Sequence, residues 1–450
     1  MGTLMKSVSG IRGVVGDTLT PELILKVGAA FARYCKGGHI VVGRDARPTG
    51  EAIAHSLESA LMLAGCDVTD IGIVPTPTVQ LMVEETGARG GVVISASHNP
   101  IEWNAFKLIG NSGSFLNARE IGKLFSMMEE PASWRRWDGT GSLARYDGAE
   151  DLHIDRVLSV VNAAKIRKKK FRVALDSVNG AGSRITQRLL EKLGCTVVPL
   201  YCAIDGTFPR GAEPIPENLK ALAAKVGASG ADIGFAQDPD ADRLAIVDET
   251  GAPIGEEYTI ALVAEHMLSK RKGRVVVNLS TTRAVEDVAA RHGAPFARSR
   301  VGEINVVEEM RRGGALIGGE GNGGVISPEV HLGRDSLAGI VYVLEMMAER
   351  GGTVSDIVAS LPRYVMKKGK IKCDPLKSAG IMERARGEFS REKISRLDGL
   401  RIDFRAHAEF KGGWAHLRSS NTEPMFRIIT EGRDKAHADA IYRYFAGMFK

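Results

Sequence analysis

The chain has too few cysteines for a disulfide framework. It contains 5 cysteines in 450 residues, an odd number, and no C-x-x-C pair. The cysteines are Cys35, Cys66, Cys195, Cys202 and Cys373. Small secreted domains and cysteine-based zinc sites need paired or closely spaced thiols, so both classes are disfavoured. The pattern predicts reduced thiols and a cytoplasmic location.

Long apolar runs and concentrated positive charge are also missing. No stretch approaches the about 18 apolar residues of a membrane span, and the amino terminus lacks a secretory pattern. The net charge is +6 and the pI is near 9.0, but basic residues are dispersed except at residues 167–170. We therefore expect neither a membrane nor a nucleic-acid partner. The mild positive charge would instead attract small anionic substrates.

What the chain does have is a pattern that occurs three times. Runs of β-branched residues enter polar turns at residues 40–45, 172–177 and 275–280, and each is followed by a helical pattern. A glycine closes each helical pattern before another strand: Gly65, Gly194 and Gly293. The recurrence predicts three related α/β domains in which helices cover a largely buried sheet. From about residue 366 the pattern changes, which predicts a different fourth segment.

Three acidic residues alternate in the sequence D-P-D-A-D-R at residues 238–243. Apolar runs at residues 233–236 and 244–247 predict a strand, a tight loop and a second strand. Mg²⁺ prefers oxygen ligands and is usually held by a few carboxylates together with substrate phosphate oxygens. The loop therefore predicts a divalent cation site. Its predicted ligands are Asp238, Asp240 and Asp242.

A second unusual loop, S-A-S-H-N-P, occupies residues 95–100. The run of residues 92–94 reads as a buried strand that ends in this turn, where a side chain can be presented. Ser97 is a candidate nucleophile, with His98 beside it and Lys107 shortly after. A phosphorylated serine carries about −1.5 to −2 charges, which Mg²⁺ and basic neighbours would stabilise.

Two further polar loops complete the set. The sequence G-E-G-N-G-G at residues 319–324 lets backbone approach a ligand, and Glu320 and Asn322 can hydrogen-bond hydroxyl groups. It lacks the features of a dinucleotide fingerprint or a P-loop. In the segment W-A-H-L-R-S-S-N-T-E-P before the last strand, Arg418 supplies a guanidinium fork for a phosphate. Its neutral companions are Ser420, Asn421 and Thr422.

The order of these loops resembles the α-D-phosphohexomutase superfamily, which includes phosphoglucomutases, phosphomannomutases and phosphoglucosamine mutases. The motifs are S-G-I-R-G at residues 9–13, followed by the four loops described above. The resemblance implies three related α/β domains with mixed sheets between helices and a C-terminal α+β domain like the TATA-binding protein, arranged around a central cleft. We expect the domains to cover residues 1–148, 149–252, 253–365 and 366–450.

The resemblance also implies a role for each candidate residue. Ser97 would be phosphorylated, and its phosphate would complete a Mg²⁺ shell built by Asp238, Asp240 and Asp242. Arg243 would lie near the phosphoryl group. The residues implied at the transfer site are Arg12, His98 and Lys107. The sugar hydroxyls would contact Glu320 and Asn322. The substrate phosphate would be held by Arg418, Ser420, Asn421 and Thr422.

The implied reaction is the interconversion of hexose 6-phosphate and hexose 1-phosphate through a bound hexose 1,6-bisphosphate, which also serves as activator. Gly324 stands where bacterial members commonly have histidine, which favours glucosamine phosphate as the substrate and leaves Lys107, His98 and His331 as candidate bases. Phosphomannomutase and phosphoglucomutase activity remain alternatives. So do an aspartyl-phosphate enzyme using Asp238 and a non-catalytic phosphosugar-binding protein. The chain would be a monomer or a homodimer.

Overall fold

The structure, a computed structural model, describes residues 4–419 and 425–449. Its strands form four sheets in chain order, and we call each sheet with its helices a module, numbered 1 to 4. Three α/β modules are followed by an antiparallel one, which confirms the predicted fold class. The domain boundaries given above stay predictions.

Module 1 has a seven-stranded mixed sheet in the order β1-β2-β6-β5-β3-β4-β7. Its strands are β1 (Met5–Ser7), β2 (Gly10–Val14), β3 (Gly38–Arg44), β4 (Cys66–Ile73), β5 (Gly90–Ile94), β6 (Trp103–Gly110) and β7 (Leu143–Arg145). Its helices are α1 (Pro21–Tyr34), α2 (Gly50–Leu63), α3 (Thr76–Thr86) and α4 (Ala118–Met128). Strand β5 is buried along its whole length, as its apolar sequence predicts.

Module 2 has a four-stranded sheet in the order β11-β10-β8-β9. Its strands are β8 (Arg172–Asp176), β9 (Thr196–Leu200), β10 (Ile233–Gln237) and β11 (Leu244–Val247). Its helices are α5 (Ala149–Ser159), α6 (Ala163–Lys169), α7 (Gly182–Lys192) and α8 (Lys220–Ser229), with a 3₁₀ turn at Pro216–Asn218. The basic residues 167–170 fall at the end of α6.

Module 3 repeats this topology in the order β13-β12-β14-β15. Its strands are β12 (Arg274–Asn278), β13 (Phe296–Ser299), β14 (Ala315–Glu320) and β15 (Gly324–Ile326). Its helices are α9 (Glu257–Lys270), α10 (Ala284–Arg291), α11 (Glu303–Gly313), α12 (Ser336–Arg350) and α13 (Val354–Ala359). One apolar core joins modules 2 and 3, since Leu244 of β11 and Leu337 of α12 belong to the same buried cluster.

The repeat places three polar loops at equivalent positions. In each α/β module the loop connects a parallel strand to the antiparallel strand beside it: β5 to β6, β10 to β11 and β14 to β15. The glycines that follow α2, α7 and α10 have φ of +91°, +72° and +60°, the left-handed conformation expected after a helix end. The sequence pattern therefore identified a true structural repeat.

Module 4 is a five-stranded antiparallel sheet in the order β16-β20-β19-β18-β17. Its strands are β16 (Val365–Lys372), β17 (Lys393–Ser395), β18 (Leu400–Asp403), β19 (Trp414–Ser419) and β20 (Met425–Gly432), with helices α14 (Pro375–Glu388) and α15 (Lys435–Gly447). The interpretation of residues 414–424 as one loop is wrong over Trp414–Ser419, because these residues pair with β20, and Trp414 to Leu417 pair with β18 as well. Within the described ranges, no helix has the length and apolarity needed to cross a membrane.

Candidate active site

The turn that carries Ser97 begins at the carboxyl end of β5. Strands β3 and β5 are parallel neighbours with Arg44 opposite Ile94, so the next residues, Asp45 and Ser95, lie side by side. Ser95 Oγ donates to Asp45 Oδ2 at 2.6 Å and accepts from the Ser97 backbone N–H at 3.0 Å. Ser97 itself has φ of +50°, a left-handed conformation that is strained for a residue other than glycine. These hydrogen bonds hold the strained turn in place.

Arg47 holds the same turn through hydrogen bonds to its backbone carbonyl groups. Its guanidinium donates to the carbonyl oxygens of Ser97 at 2.9 Å, Asn99 at 2.6 Å and Trp103 at 2.9 Å. The side chain is fully buried, and its charge is balanced by Asp45 at 3.3 Å. The sequence reasoning missed both residues, although they follow β3 at the sheet edge where the Ser97 turn also begins.

The Ser97 hydroxyl faces the aspartate loop of module 2. Ser97 Oγ donates to Asp238 Oδ2 at 2.9 Å, and the serine is only 2% exposed. Asp238, Asp240 and Asp242 are fully buried, and one carboxylate oxygen from each lies within 4.8 Å of the others. The structure therefore brings the predicted nucleophile and the predicted metal ligands together.

Lys107 reaches the aspartates from β6. Its Nζ forms an ion pair with Asp240 and lies 3.5 Å from Asp242 Oδ2. Burial alone would lower the pKa of Lys107, but these two carboxylates outweigh that effect and raise it. In turn, burial would raise the pKa of Asp240, but Lys107 holds it well below its usual range. Lys107 is therefore protonated here, and in this position it balances charge rather than accepting a proton.

His98 is a candidate base whose imidazole is uncharged. The charge of Arg243, then burial, and then the charge of Arg12 lower the pKa of His98 well below its usual value. Its Nδ1 lies 3.4 Å from Ser97 Oγ. Arg12, on β2, donates to Asn99 Oδ1 at 2.9 Å. The imidazole beside the serine is therefore uncharged, and Arg12 and Arg243 flank the same space.

Arg334, between β15 and α12, joins the aspartate loop to module 3. It donates to Asp242 Oδ2 at 2.6 Å, to Glu303 Oε2 at 3.1 Å and to Glu320 Oε2 at 2.8 Å. Arg243 adds a third positive group, with its Nε 3.8 Å from Asp238 Oδ2. Together with Lys107, these arginines balance the charge of three buried aspartates. The sequence reasoning missed Arg334, which stands in the polar segment after β15.

Two oxygens of the aspartate cluster remain without hydrogen bonds. Within the described residues, Asp240 Oδ1 and Asp242 Oδ1 are buried and have no hydrogen-bond partner, although Arg243 Nε lies 3.7 Å from Asp242 Oδ1. An unsatisfied buried carboxylate oxygen is costly, and a hard divalent cation satisfies it. The donor set of three carboxylates and a hydroxyl contains only oxygen. The site therefore fits a divalent cation.

The two residues predicted to contact the sugar, Glu320 and Asn322, lie in different surroundings. Glu320 is 3% exposed, and its Oε1 accepts from Asn278 Nδ2 at 2.7 Å and from the Gly302 N–H at 2.9 Å. Asn322 is less buried and lines a cleft whose walls come from all four modules. Asn322 is thus placed to contact a ligand, whereas the Glu320 carboxylate is held by protein donors, including Arg334.

Arg418 lies on β19, opposite Arg427 of β20. Its Nη2 is 3.6 Å from Asp398 Oδ2, and its buried Nε has no hydrogen-bond partner among the described residues. The other predicted phosphate ligands, Ser420, Asn421 and Thr422, lie outside the described residues. His331, the third candidate base, contacts Asp335 and is considered below.

A cleft of about 880 Å³ connects the four modules. Its walls include His98 of module 1, Glu213 of module 2, Asn322 of module 3, and Lys368 and Arg427 of module 4. The volume is in the range of small-molecule binding sites. The predicted central cleft is therefore present, and the residue beside Ser97 opens onto it.

The fold and the buried serine–aspartate pair define a four-module enzyme of the α/β class. Four consecutive parts of the chain match the Phosphoglucomutase/phosphomannomutase family: alpha/beta/alpha domain I at residues 4–133, domain II at 151–251, domain III at 255–364 and the C-terminal domain at 370–447. The chain belongs to this family, within the α-D-phosphohexomutase superfamily. It is an isomerase that transfers phosphate within hexose phosphates.

Similar proteins carry two names. The chain is 35% identical over 434 residues to a probable phosphoglucosamine mutase of Methanopyrus kandleri, covering 96% of this chain and 94% of the relative. It is 37% identical over 440 residues to a phosphoglucomutase/phosphomannomutase of Thermococcus kodakarensis, covering 95% and 94%. A crystal structure of a phosphoglucomutase/phosphomannomutase family protein from Burkholderia thailandensis superposes with a TM-score of 0.85 at 28% identity, covering 99% of this chain and 98% of that chain.

Replacement of Arg334 by methionine is expected to destabilise the protein by about 3–5 kcal/mol in magnesium-free buffer. The substitution keeps side-chain volume but leaves Asp242, Glu303 and Glu320 buried without their shared cation. Urea denaturation followed by circular dichroism measures the loss.

Arg312 is the matched control for that measurement. It also pairs with a glutamate of module 3, but its side chain is 73% exposed, so Arg312→Met should cost no more than about 1 kcal/mol. Equal losses for the two variants would show that the buried pairs of Arg334 add no stability.

Proposed function

We propose that the protein interconverts hexose 6-phosphate and hexose 1-phosphate through a phosphoserine at Ser97 and a bound hexose 1,6-bisphosphate. The observation that carries the proposal is the buried 2.9 Å hydrogen bond from Ser97 Oγ to Asp238 Oδ2, which joins modules 1 and 2. A nucleophile positioned against a metal-ligand cluster is what a phosphoryl-transfer site requires.

Asp238, Asp240 and Asp242 would hold Mg²⁺ through their carboxylates. The all-oxygen donors and the two unpartnered carboxylate oxygens support this assignment. When bound, the ion would stabilise negative charge on the transferred phosphoryl group.

The chain's own residues supply the remaining requirements of the transfer. In the forward step the bond between phosphorus and Ser97 Oγ breaks and a bond to the sugar hydroxyl oxygen forms. His98 would accept the hydroxyl proton and pass it to the departing Ser97 Oγ, since its imidazole lies in the cleft wall with Nδ1 3.4 Å from that oxygen. Arg12 and Arg243 would stabilise the equatorial phosphoryl oxygens. After the bisphosphate turns end for end, the same steps run in reverse with its other phosphate: Ser97 Oγ gives its proton to His98 as it takes up the phosphoryl group, and His98 gives a proton to the sugar oxygen that leaves.

Modules 3 and 4 would bind the end of the sugar phosphate that does not react. Asn322 would hydrogen-bond sugar hydroxyls from the cleft wall. Arg418 would bind the distal phosphate, and its buried Nε, which has no hydrogen-bond partner among the described residues, supports this assignment. Because the two phosphates exchange places during turnover, this grip has to accept either end of the sugar.

Arg418→Ala is expected to raise KM about tenfold to hundredfold and to release more free bisphosphate, with a smaller effect on kcat. A charge-assisted hydrogen bond contributes about 1.5–3 kcal/mol, which corresponds to that range. Steady-state kinetics with a quenched single-turnover assay for released bisphosphate measures both effects. Arg433, on the same module with its side chain 75% exposed, provides the control Arg433→Ala. An Arg418 variant that behaves like the control would exclude the phosphate grip.

Intact-mass analysis and peptide mapping after incubation with glucose 1,6-bisphosphate test the phosphoserine. We expect one phosphate on the peptide containing Ser97, stable to hydroxylamine. A hydroxylamine-labile phosphate on Asp238 would indicate the aspartyl-phosphate enzyme instead. Tight sugar binding with no adduct would indicate the binding protein.

We further propose glucosamine phosphate as the preferred substrate, on the basis of the Gly324 sequence departure. The relatives' names include both phosphoglucosamine mutase and phosphoglucomutase/phosphomannomutase. Comparison of kcat/KM for glucosamine, glucose and mannose 1-phosphates, with a bisphosphate activator present, decides among them. A higher value for glucose or mannose would overturn this preference without affecting the phosphoserine mechanism.

A further inference from the structure

A second group of potential metal ligands is buried away from the aspartate loop. It consists of His153 on α5, His331 in the segment after β15, and Asp335 at the start of α12. All three are at most 3% exposed, and one donor atom from each lies within 4.8 Å of the others. None of them contacts Ser97 or the three aspartates in the hydrogen bonds described above.

The donor atoms already have approximately the spacing of metal ligands. His153 Nε2 lies 2.9 Å from Asp335 Oδ2, and His331 Nε2 lies 3.5 Å from the same oxygen. Ligands of a tetrahedral zinc ion, bound at about 2.0–2.2 Å, stand about 3.3 Å apart. Only small adjustments would place one ion against all three side chains.

His331 provides the independent sign of a missing partner. Among the described residues, neither its Nδ1 nor its Nε2 has a hydrogen-bond partner, although the residue is buried. A neutral imidazole has one donor and one acceptor; here Nε2 has only the long ion-pair contact of 3.5 Å with Asp335 Oδ2, and burying Nδ1 without a hydrogen bond is costly. A metal ion bound to one ring nitrogen would remove part of that cost.

The charge of Asp335 points the same way. Its ion-pair partners among the described residues are His153 and His331, with no lysine or arginine. Its Oδ1 caps α12 by accepting from the Leu337 N–H at 2.8 Å, which favours the ionised carboxylate. The Oδ2 atom faces the two imidazoles, so a cation there would balance a buried negative charge.

An outer contact completes the arrangement around His153. Its Nδ1 is 2.8 Å from Thr78 Oγ1 on α3, so its Nε2 is the nitrogen left to face Asp335. Metal-bound histidines commonly have their second nitrogen fixed by such a partner. Two imidazoles and one carboxylate suit zinc, whereas Mg²⁺ prefers oxygen ligands alone.

We infer that His153, His331 and Asp335 form a structural zinc site, with water in the fourth position. The ion would fasten α3 and α5 to the segment that precedes α12. That segment also carries Arg334, which contacts Asp242, and α12 begins with Ser336, which donates to the carbonyl oxygen of Ala241 in the aspartate loop. Zinc would therefore brace the part of module 3 that contacts the predicted active site.

Metal analysis of the purified full-length protein, grown with added zinc and dialysed against excess Mg²⁺, tests the inference. We expect about one equivalent of zinc in the wild type and in Asp240→Asn, which alters only the aspartate loop. His331→Gln and Asp335→Asn should each lose at least about nine-tenths of it. Asparagine can still cap α12, so Asp335→Asn is expected to fold.

His266→Gln is the matched control, because His266 is a buried histidine paired with Glu345 at 2.8 Å, outside the cluster. Cobalt-substituted wild type should show visible absorption of tetrahedral intensity that His331→Gln lacks. Equal zinc in wild type and His331→Gln, loss of zinc in Asp240→Asn alone, or a zinc-free wild type would each overturn the site. These measurements require no sugar turnover, so they are independent of the proposed reaction.

Discussion

Replacement of Ser97 by alanine is expected to lower kcat by about 10⁴-fold or more, measured in a coupled mutase assay. Ser97 Oγ is the proposed phosphate acceptor, and alanine offers no atom for that bond. The turn itself should survive, because Arg47 and Ser95 hold it through the backbone carbonyl and N–H of residue 97. The loss should therefore appear in turnover and phosphate incorporation, with little change in the melting temperature.

Ser95→Ala is the matched comparison in the same turn. Ser95 is also buried, but its hydroxyl donates to Asp45 rather than to the aspartate loop. The variant loosens the support beneath Ser97 while keeping its hydroxyl, so it should still become phosphorylated. If Ser97→Ala retained turnover within about tenfold of wild type, the phosphoserine route would be wrong and Asp238 would become the leading acceptor.

The aspartate loop could be predicted from local sequence because its flanking strands and its candidate metal ligands are close together in the chain. Apolar residues flank the loop on both sides, and they form β10 and β11 as predicted. The Ser97 turn was predictable for the same reason, since it directly follows a wholly buried strand. Both loops occupy the same position in repeated modules, but the expectation that they meet came from the family resemblance and not from the repeat.

The residues that support the site were not predictable in the same way. Arg334 is about ninety residues from Asp242 in the chain, and Arg47 is fifty residues from Ser97. Both are fixed by tertiary packing, and nothing in their immediate sequence distinguishes them from arginines on a surface turn. Lys107 was found by its proximity to the Ser97 loop, but only the antiparallel pairing of β5 with β6 shows that it reaches Asp240.

The β19 error has a similar origin. The sequence was interpreted as a loop over residues 414–424, whereas pairing with β20 makes Trp414–Ser419 a strand. Pairing with distant strands overrides local composition at such positions. As a consequence, Arg418 is anchored on a sheet rather than on a loop.

Removal of the bound divalent cation is expected to separate catalysis from stability. Lys107, Arg243 and Arg334 already balance the charge of the three buried aspartates, so the fold does not depend on an ion there. A bound ion adds stability only through its binding equilibrium, which for millimolar Mg²⁺ near its dissociation constant amounts to about 1 kcal/mol or less. The chemistry has no such substitute, because Lys107 and Arg334 are fixed on the carboxylates and cannot take the place of the ion beside the phosphoryl group.

Brief treatment with EDTA followed by desalting should therefore lower kcat by about 10³-fold or more, with restoration on adding Mg²⁺. The melting temperature should fall by no more than about 4 °C. Metal analysis of the same sample shows whether only Mg²⁺ has been removed, since zinc held by His331 would be buried and slow to exchange. Loss of the folded circular dichroism signal while zinc is retained would contradict the argument, because it would mean that the three cations do not suffice to hold the aspartate loop.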